Sequence, residues 1–319
     1  MMSLFRRVLR LLFLLGGFIA GVITAVAAIF AKRAITPPRQ RLWATPADLG
    51  MAYEDVQFPA QDGVRLSGWF VPAPAESQRK GGTVVLVHGW PWNRLGEAAA
   101  DPISTLSGAS PVDLLRLAYA LQQDGFHVFM FDLRNHGESA AQSPITFGIQ
   151  ESNDVLGALA YLHGRSDVDA QRIGVIGFSM GANTLLYTLP QTKNVRAAIA
   201  VQPTTPKVFA HGMAQYMTGP LSTLIVPLIE MMYQAAGGQR FSAYQPSFAA
   251  AGAGDTPVLY VQGKGDTWGS MEDVARMAAA TPHASGPLFV DSINRFGGYQ
   301  YLVDNPKIAT AFFEQHFPE

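Results

Sequence analysis

The chain begins with a long apolar segment that carries no charge over residues 11–31. About 21 residues of α-helix span roughly 30 Å, which is the thickness of the hydrocarbon core of a bilayer. A cleaved signal peptide is the alternative, but its apolar region usually runs for only about 7–15 residues. The pattern therefore predicts a retained transmembrane helix, with a membrane anchor over residues 1–35 and a proline-containing linker over residues 36–50.

After the linker, short apolar runs alternate with segments of helical periodicity. Strands that alternate with helices form a mostly parallel sheet with helices on both faces, so we expect one α/β domain over residues 51–319. The first two strands flank Gln61-Asp62-Gly63 and predict a hairpin. The predicted strands are residues 53–58, 64–71, 83–87, 127–133, 172–176, 195–201, 257–261 and 287–290, and the predicted helices are residues 111–123, 149–163, 180–189, 270–280 and 306–317.

Two stretches depart from this alternation. Residues 90–110 have no clear periodicity and are predicted to be mainly loop. Residues 204–254 are rich in Met and aromatic side chains, and a structureless loop of that length would be unusual. We expect a helical cap over the C-terminal ends of the strands. Its apolar residues either fill the core of the cap, line an apolar tunnel, or form a face that dips into a bilayer.

A strand-to-helix junction carries the clearest chemical motif. Residues 177–181 read G-F-S-M-G and match G-x-S-x-G, with a β-branched strand before them and a helix after them. Bulky side chains at Gly177 or Gly181 would collide with the neighbouring strands. The helix N-terminus would favour negative charge developing next to Ser179. Ser179 is therefore the candidate nucleophile.

These features make the chain resemble the α/β-hydrolase family over roughly residues 56–317. The His88-Gly89-Trp90 segment after the third strand is similar to the oxyanion loop of the family. The resemblance implies that the backbone N–H groups of Trp90 and Met180 form the oxyanion hole.

Two further loops carry the resemblance. Residues 132–139 read D-L-R-N-H-G-E-S and are similar to the D-x-R-G-x-G-x-S loop of the family, with Asn135 in place of the first glycine. Residues 263–266 read G-K-G-D and resemble the G-x-x-D that supplies the acid of the catalytic triad. The resemblance therefore implies that Asp266 is that acid.

The triad histidine is missing from its expected place. The family has it just after the last strand, where residues 291–298 contain no histidine and the H-F-G-G pattern of the family aligns with Arg295. Arginine keeps its proton at neutral pH and has no acceptor, so it cannot act as the base. His136, in the loop after the fourth strand, and His211, in the cap, are the candidate substitute bases.

Three functions remain open. An active serine hydrolase of acyl esters would use Ser179, Asp266 and a histidine not yet assigned. A non-catalytic pseudo-hydrolase could act as a binding or accessory subunit of a membrane assembly, which predicts an ion pair between Asp266 and Arg295 near Ser179. A third possibility is a protein that binds a lipid or a small acyl ligand under the cap.

The composition of the chain excludes several kinds of functional site. The chain has 319 residues, a formal charge of -1 and no cysteine, which excludes disulfides, thiolate metal sites and a cysteine nucleophile. The near-neutral charge argues against nucleic acid as a partner. Gly174, Gly177 and Gly181 do not have the spacing of a dinucleotide site. We expect no cofactor and no metal.

The flanks of the apolar segment bear on topology and partners. Positively charged residues lie on both sides of the apolar segment, so the positive-inside rule favours one orientation only weakly. We expect the N-terminus inside and the soluble domain on the extracytoplasmic side. Gly17 and Gly21 form a G-x-x-x-G pair that could admit a transmembrane helix of another subunit, although glycine is also simply common in membrane helices. The flanking residues are Arg6, Arg7 and Arg10 before the segment and Lys32, Arg33, Arg39 and Arg41 after it.

Overall fold

The computed structural model describes residues 2–77 and 82–318. Ten strands and eleven α-helices lie in these ranges. The strands are β1 (Glu54–Pro59), β2 (Arg65–Val71), β3 (Thr83–Val87), β4 (Gly96–Glu97), β5 (Val112–Asp113), β6 (His127–Phe131), β7 (Ile173–Phe178), β8 (Ala197–Val201), β9 (Val258–Gly263) and β10 (Ala284–Val290). The helices are α1 (Met2–Ile35), α2 (Pro102–Leu106), α3 (Leu114–Gln123), α4 (Ser152–His163), α5 (Met180–Thr188), α6 (Pro206–Thr218), α7 (Ser222–Ala235), α8 (Pro246–Ala250), α9 (Met271–Ala280), α10 (Arg295–Asp304) and α11 (Lys307–His316).

An eight-stranded sheet forms the centre of the domain, in the order β1-β2-β6-β3-β7-β8-β9-β10. The predicted hairpin is confirmed, because β1 and β2 pair antiparallel, and β2 pairs antiparallel with β6. From β6 to β10 every neighbouring pair is parallel. Strands β3, β7 and β8 are buried along their whole length, as expected for parallel strands covered on both faces.

Helices cover both faces of this sheet, so the predicted α/β architecture is confirmed. One face packs against α3, α10 and α11, which contribute Leu117, Leu302 and Phe313 to a shared core. The other face packs against α4, α5 and α9 through residues such as Leu159 and Leu185. The C-terminal ends of the parallel strands stay free of these layers and are available for a site.

Residues 204–254 form the predicted helical cap, which consists of α6, α7 and α8. Helix α7 contains Pro227 and packs along the C-terminal half of α1. The shared cluster buries small residues of α1 under larger residues of α7. The buried members include Ala27, Ala31 and Ala34 of α1 and Ile225, Ile229 and Tyr233 of α7.

The linker after α1 contains a short 3-10 helix (Pro46–Leu49) and is docked on the domain. Nη1 of Arg39 donates to the carbonyl oxygens of Gly137 and Ser139, both at 2.7 Å. Nδ2 of Asn93 donates to the carbonyl oxygens of Gln40 and Arg41 at 3.3 and 3.2 Å. The linker is therefore held along the loops that surround the strand ends.

The structure differs from the sequence pattern in three places. Strand β5 (Val112–Asp113) occupies the start of the predicted helix 111–123. The stretch 90–110, predicted to be mainly loop, contains β4 and the short helix α2, which Asp101 caps. Helix α10 was not predicted at all, because Gly297 and Gly298 lower the helix propensity of its first turn. Its start is fixed by Asn294, whose side chain accepts a hydrogen bond from the N–H of Gly297 at 3.0 Å.

Candidate active site

Ser179 lies at the junction of β7 and α5 with a φ of 53°, in the left-handed region. Non-glycine residues rarely adopt this conformation, and the strain is held by the surrounding packing. A Cβ on Gly177 would lie 2.4 Å from the carbonyl oxygen of Gly181, and a Cβ on Gly181 would lie 2.2 Å from that of Val87. The motif therefore folds into the tight turn that its glycines predict.

The loop after β3 brings a second backbone segment to Ser179. A Cβ on Gly89 would lie 3.1 Å from the Cβ of Ser179. The N–H of Leu133 donates to Nε2 of His88, so Nδ1 of His88 carries the proton and donates to the carbonyl oxygen of Gly89 at 2.8 Å. His88 thus acts as a scaffold for this loop.

The two amides assigned to the oxyanion hole stay available for a ligand. Met180 is the first residue of α5, where a backbone N–H has no acceptor inside the helix. Within residues 2–77 and 82–318, neither this N–H nor that of Trp90 donates to a protein acceptor. Both are therefore free to bind an oxygen atom.

Buried ion pairs hold the loop after β6. The carboxylate of Asp132 pairs with Arg94 at 2.8 Å, and Arg134 pairs with Asp154 at 2.6 Å. Asn135, which replaces the usual glycine, has a φ of 69°. Asparagine tolerates this left-handed conformation better than most residues, so the substitution leaves the turn intact.

Asp266 lies after β9 with its side chain 0% exposed. Its Oδ1 accepts hydrogen bonds from the backbone N–H groups of Trp268 and Gly269 at 3.0 and 2.9 Å. Its Oδ2 accepts from Nε2 of Gln262 at 3.1 Å and also from Arg295. The carboxylate is therefore fully bonded and faces the space beside Ser179.

Arg295 fills the space between the acid and the serine. Its Nη1 forms an ion pair with Asp266, and its Nη2 donates to Oγ of Ser179 at 3.2 Å and to the carbonyl oxygen of Gln202 at 2.9 Å. The side chain is 2% exposed. Burial is the largest single influence and disfavours its charge, but the interactions with Asp266 and Tyr299 together raise the pKa of Arg295 above its usual value. The ion pair that the pseudo-hydrolase hypothesis predicts is present.

Comparisons with known proteins agree with this architecture. A family model described as alpha/beta hydrolase fold matches residues 82–227. An esterase of Pyrococcus furiosus, Pf2001, superposes with a TM-score of 0.65 at 23% identity, over 89% of this chain and 99% of that one. The protein has the α/β-hydrolase fold.

Curated relatives of this hydrolase-fold chain match part of its length. The uncharacterized protein YfhR of Salmonella typhi is 31% identical over 183 residues, which is 57% of this chain and 54% of YfhR. The α/β-hydrolase domain-containing protein WAV2 of Arabidopsis thaliana is 33% identical over 137 residues, which is 43% of this chain and 38% of WAV2. The chain thus spans about half or less of the length of these two relatives.

Two residues of the hydrolase-fold site were missed by the sequence pattern. Gln202, at the end of β8 with a φ of 49°, donates from Nε2 to the carbonyl oxygen of Arg295 at 2.6 Å. Tyr299 lies one turn after Arg295 on α10, with its ring centroid 5.2 Å from the guanidinium carbon. Burial raises the pKa of Tyr299 to about 12, so its phenol stays protonated at neutral pH and does not serve as a base.

The two histidines expected as substitute bases lie away from Ser179. The buried ring of His136 packs against His88 with its centroid 5.1 Å away, and its Nδ1 hydrogen-bonds the carbonyl oxygen of Arg134. His211 hydrogen-bonds the carbonyl oxygen of Lys207, on the exposed side of α6. All seven histidines of the chain fall within the described ranges, and none of them hydrogen-bonds Ser179. We therefore correct the prediction that His136 or His211 acts as the base in place of the missing histidine.

A narrow cavity of about 40 Å³ lies beside Ser179 and is called here the elbow cavity. Ligand pockets usually measure about 300–1,000 Å³, so this space suits a few water molecules at most. Its walls come from α1, the loop after β3, the cap, the loop after β9 and α10. The lining includes Phe30, Arg33, Trp90, Trp92, Phe209, Met213, Trp268, Arg295 and Tyr299.

Helix α1 closes one side of the elbow cavity. Arg33 forms an ion pair with Asp101 at 3.0 Å, and Nε1 of Trp90 donates to the carbonyl oxygen of Arg33 at 3.2 Å. An acyl ligand would therefore require α1 or the cap to move. Within the described ranges, no three His, Asp or Glu side chains come together as a metal site.

Proposed function

We propose that the protein is a membrane-anchored pseudo-hydrolase, a non-catalytic binding or accessory subunit that keeps the hydrolase scaffold. The observation that carries the proposal is the guanidinium of Arg295 between Asp266 and Ser179. A serine hydroxyl needs a base to accept its proton, and this guanidinium can only donate. Removing the base of a triad typically lowers turnover by roughly a million-fold.

The chemistry of the site suggests which ligand this subunit binds. Ser179, Trp90 and Met180 line one small cavity, and the Ser179 hydroxyl together with the two N–H groups assigned to the oxyanion hole would suit a carbonyl or carboxylate oxygen. The surrounding walls are mostly aromatic or apolar. A small acyl ligand or a lipid-derived carboxylate would match both properties once α1 or the cap moves to admit it, and within the described ranges no histidine hydrogen-bonds Ser179 to activate it for cleavage.

Membrane attachment rests on α1. Residues Phe5–Ile35 are long and apolar enough to cross a bilayer, with a mean hydropathy of 2.5 in the most apolar window. We infer a single-pass anchor with the hydrolase domain on the extracytoplasmic side. Apart from the backbone of α1 itself, no atom of the described residues lies within 4 Å of a Cβ built on Gly17 or Gly21, so this G-x-x-x-G face is available to the helix of a partner subunit.

An active serine hydrolase of acyl esters is the second candidate. The strained φ of Ser179 and the unpaired amides of Trp90 and Met180 favour it, because both features serve a nucleophile and its oxyanion. This candidate requires Arg295 to leave and a histidine to reach Oγ of Ser179.

A fluorophosphonate probe separates the two candidates, because it labels a serine that a base has activated. We expect no labelling of the purified full chain, none of Ser179→Ala, and labelling of Arg295→His, in which an imidazole can accept the proton. Thermal unfolding confirms that each variant is folded. Labelling of the wild-type chain that disappears in Ser179→Ala would establish the hydrolase instead.

A further inference from the structure

The exposed part of α1 is too short to cross a bilayer alone. Its uncharged residues before the cap are 11–22, all of them exposed, and about 12 helical residues span roughly 18 Å. The hydrocarbon core is about 30 Å thick. Extending the span backwards over residues 5–10 would bring three arginines into hydrocarbon, which is unfavourable. The missing length therefore has to come from residues 23–31.

Residues 23–31 pack one face against the cap, while Thr24, Ala25, Ala28 and Ile29 on the other face are exposed. The cluster shared with α7 begins at Ile23 and includes Val26, Ala27, Phe30 and Ala31. If this part of α1 lies at hydrocarbon depth, α7 must lie at that depth beside it. The outer face of α7 then determines whether the arrangement is stable.

The outer face of α7 is apolar. Leu221, which caps α7, Leu224 and Met231 are 48%, 55% and 56% exposed. The exposed Pro227 and the half-buried Leu228, which also packs against the α1 cluster, continue the same stripe at helical spacing. The exposed polar residues of α7, Thr223 and Gln234, carry no charge. Glu230 is the one charged residue of α7, and it accepts a hydrogen bond from the N–H of Phe241 at 2.6 Å. We call this stripe of five residues the α7 outer face.

We propose that the α7 outer face is embedded in the bilayer next to residues 23–31 of α1. This inference rests on the membrane anchoring proposed above and adds a second lipid contact. The exposed Lys32 follows the apolar segment directly and would lie at the level of the lipid head groups, where such a cation is favoured. Phe30 and Arg33 also line the elbow cavity, so the cavity would lie next to the boundary between hydrocarbon and head groups.

Depth-dependent fluorescence quenching tests this placement. The chain has no cysteine, so a single cysteine can carry an environment-sensitive nitrobenzoxadiazole label. The full chain would be reconstituted in phosphatidylcholine vesicles with spin-labelled acyl chains. We expect Leu224→Cys and Met231→Cys to be quenched at least about twofold more than Asn194→Cys, because their labels would lie in hydrocarbon. Asn194 is exposed and precedes β8, at the opposite end of the strands from the cap.

A label at Leu14→Cys, in the exposed part of α1, reports on the anchor separately. Quenching at Leu14 without quenching at Leu224 or Met231 would overturn the immersion of α7 and leave the anchor in place. No quenching at Leu14 would overturn the anchor and the immersion together. Both cap positions are exposed, so each label can be attached without unfolding the chain, and Met231 gives an independent reading if the Leu224 variant is unstable.

Discussion

Replacing Arg295 with methionine should destabilise the fold, because it leaves the carboxylate of Asp266 buried without a positive partner. The two side chains are 2% and 0% exposed, and breaking such a buried pair usually costs about 3–5 kcal/mol. Asp266 would keep hydrogen bonds from two backbone N–H groups and from Gln262. These bonds stabilise the lone charge, so we expect about 3 kcal/mol in the free energy of unfolding.

In a domain of this size, 1 kcal/mol shifts the melting temperature by about 2–4 °C. Arg295→Met should therefore lower it by about 6–12 °C, measured by intrinsic fluorescence on the full chain in detergent. The double variant Asp266→Asn/Arg295→Met removes both charges and should recover most of that loss. The two single variants and the double variant together form a cycle that isolates the coupling energy.

Arg276→Met is the matched control. Arg276 is 60% exposed and pairs at 2.8 Å with Asp273 of α9, whose side chain is 3% exposed. Because this cation stays in solvent, we expect its loss to cost about 1 kcal/mol at most. If Arg295→Met shifts the melting temperature as little as Arg276→Met does, the guanidinium does not lie against Asp266. The argument for a blocked serine would then lose its basis.

Two further outcomes test the turn and the interior of the domain. Gly181→Ala should give no stable fold, with a loss of more than about 4 kcal/mol in the free energy of unfolding. The reason is that its Cβ would lie 2.2 Å from the carbonyl oxygen of Val87 and 2.5 Å from that of His88. The control Gly21→Ala places its Cβ where nothing outside the helix backbone lies within 4 Å, and this variant should express normally. Burial and the neighbouring His88 lower the pKa of His136 to about 3. Below about pH 6.5 the unfolded chain therefore binds a proton at this histidine that the folded chain does not bind. The free energy of unfolding consequently falls on acidification by about 1.4 kcal/mol per pH unit. The melting temperature of His136→Gln should therefore fall less than that of wild type between pH 7 and 5, by about 4–8 °C, and an equal fall in both proteins would contradict the assignment.

The parts of the fold that sequence predicts best are those fixed by local patterns. The β-branched run Thr83–Val87 forms a strand that is buried along its whole length, and Gly177 is required by its contact with the backbone of Gly181, four residues along the chain. The contact that requires Gly181 is instead with Val87 of the neighbouring strand β3. The place of Arg295 followed from the resemblance to the family, whose H-F-G-G pattern after the last strand aligns with it. In each case the α/β architecture already fixes which strands and loops lie next to each other, so the contacting residues can be inferred from their place in the chain.

Other features depend on tertiary contacts that leave no distinct pattern. The positive φ of Gln202 arises where β8 meets the loop before the cap, and nothing in its neighbours signals it. Tyr299 could have been found from its i, i+4 spacing to Arg295, once α10 was recognised. The stripe of Ala27, Ala31 and Ala34 suits a lipid environment and a protein interior equally well, so hydropathy could not reveal that α7 covers it.

The docked linker also constrains how the domain can move. A flexible chain of about 14 residues would let its ends separate by roughly 20 Å in any direction. Here Arg39 donates hydrogen bonds to two carbonyl oxygens of the loop after β6, and Asn93 donates to the carbonyl oxygens of residues 40 and 41. A rotation or tilt of α1 would consequently displace the loops at the C-terminal ends of the strands, because the linker is bonded to them and cannot take up the motion by itself.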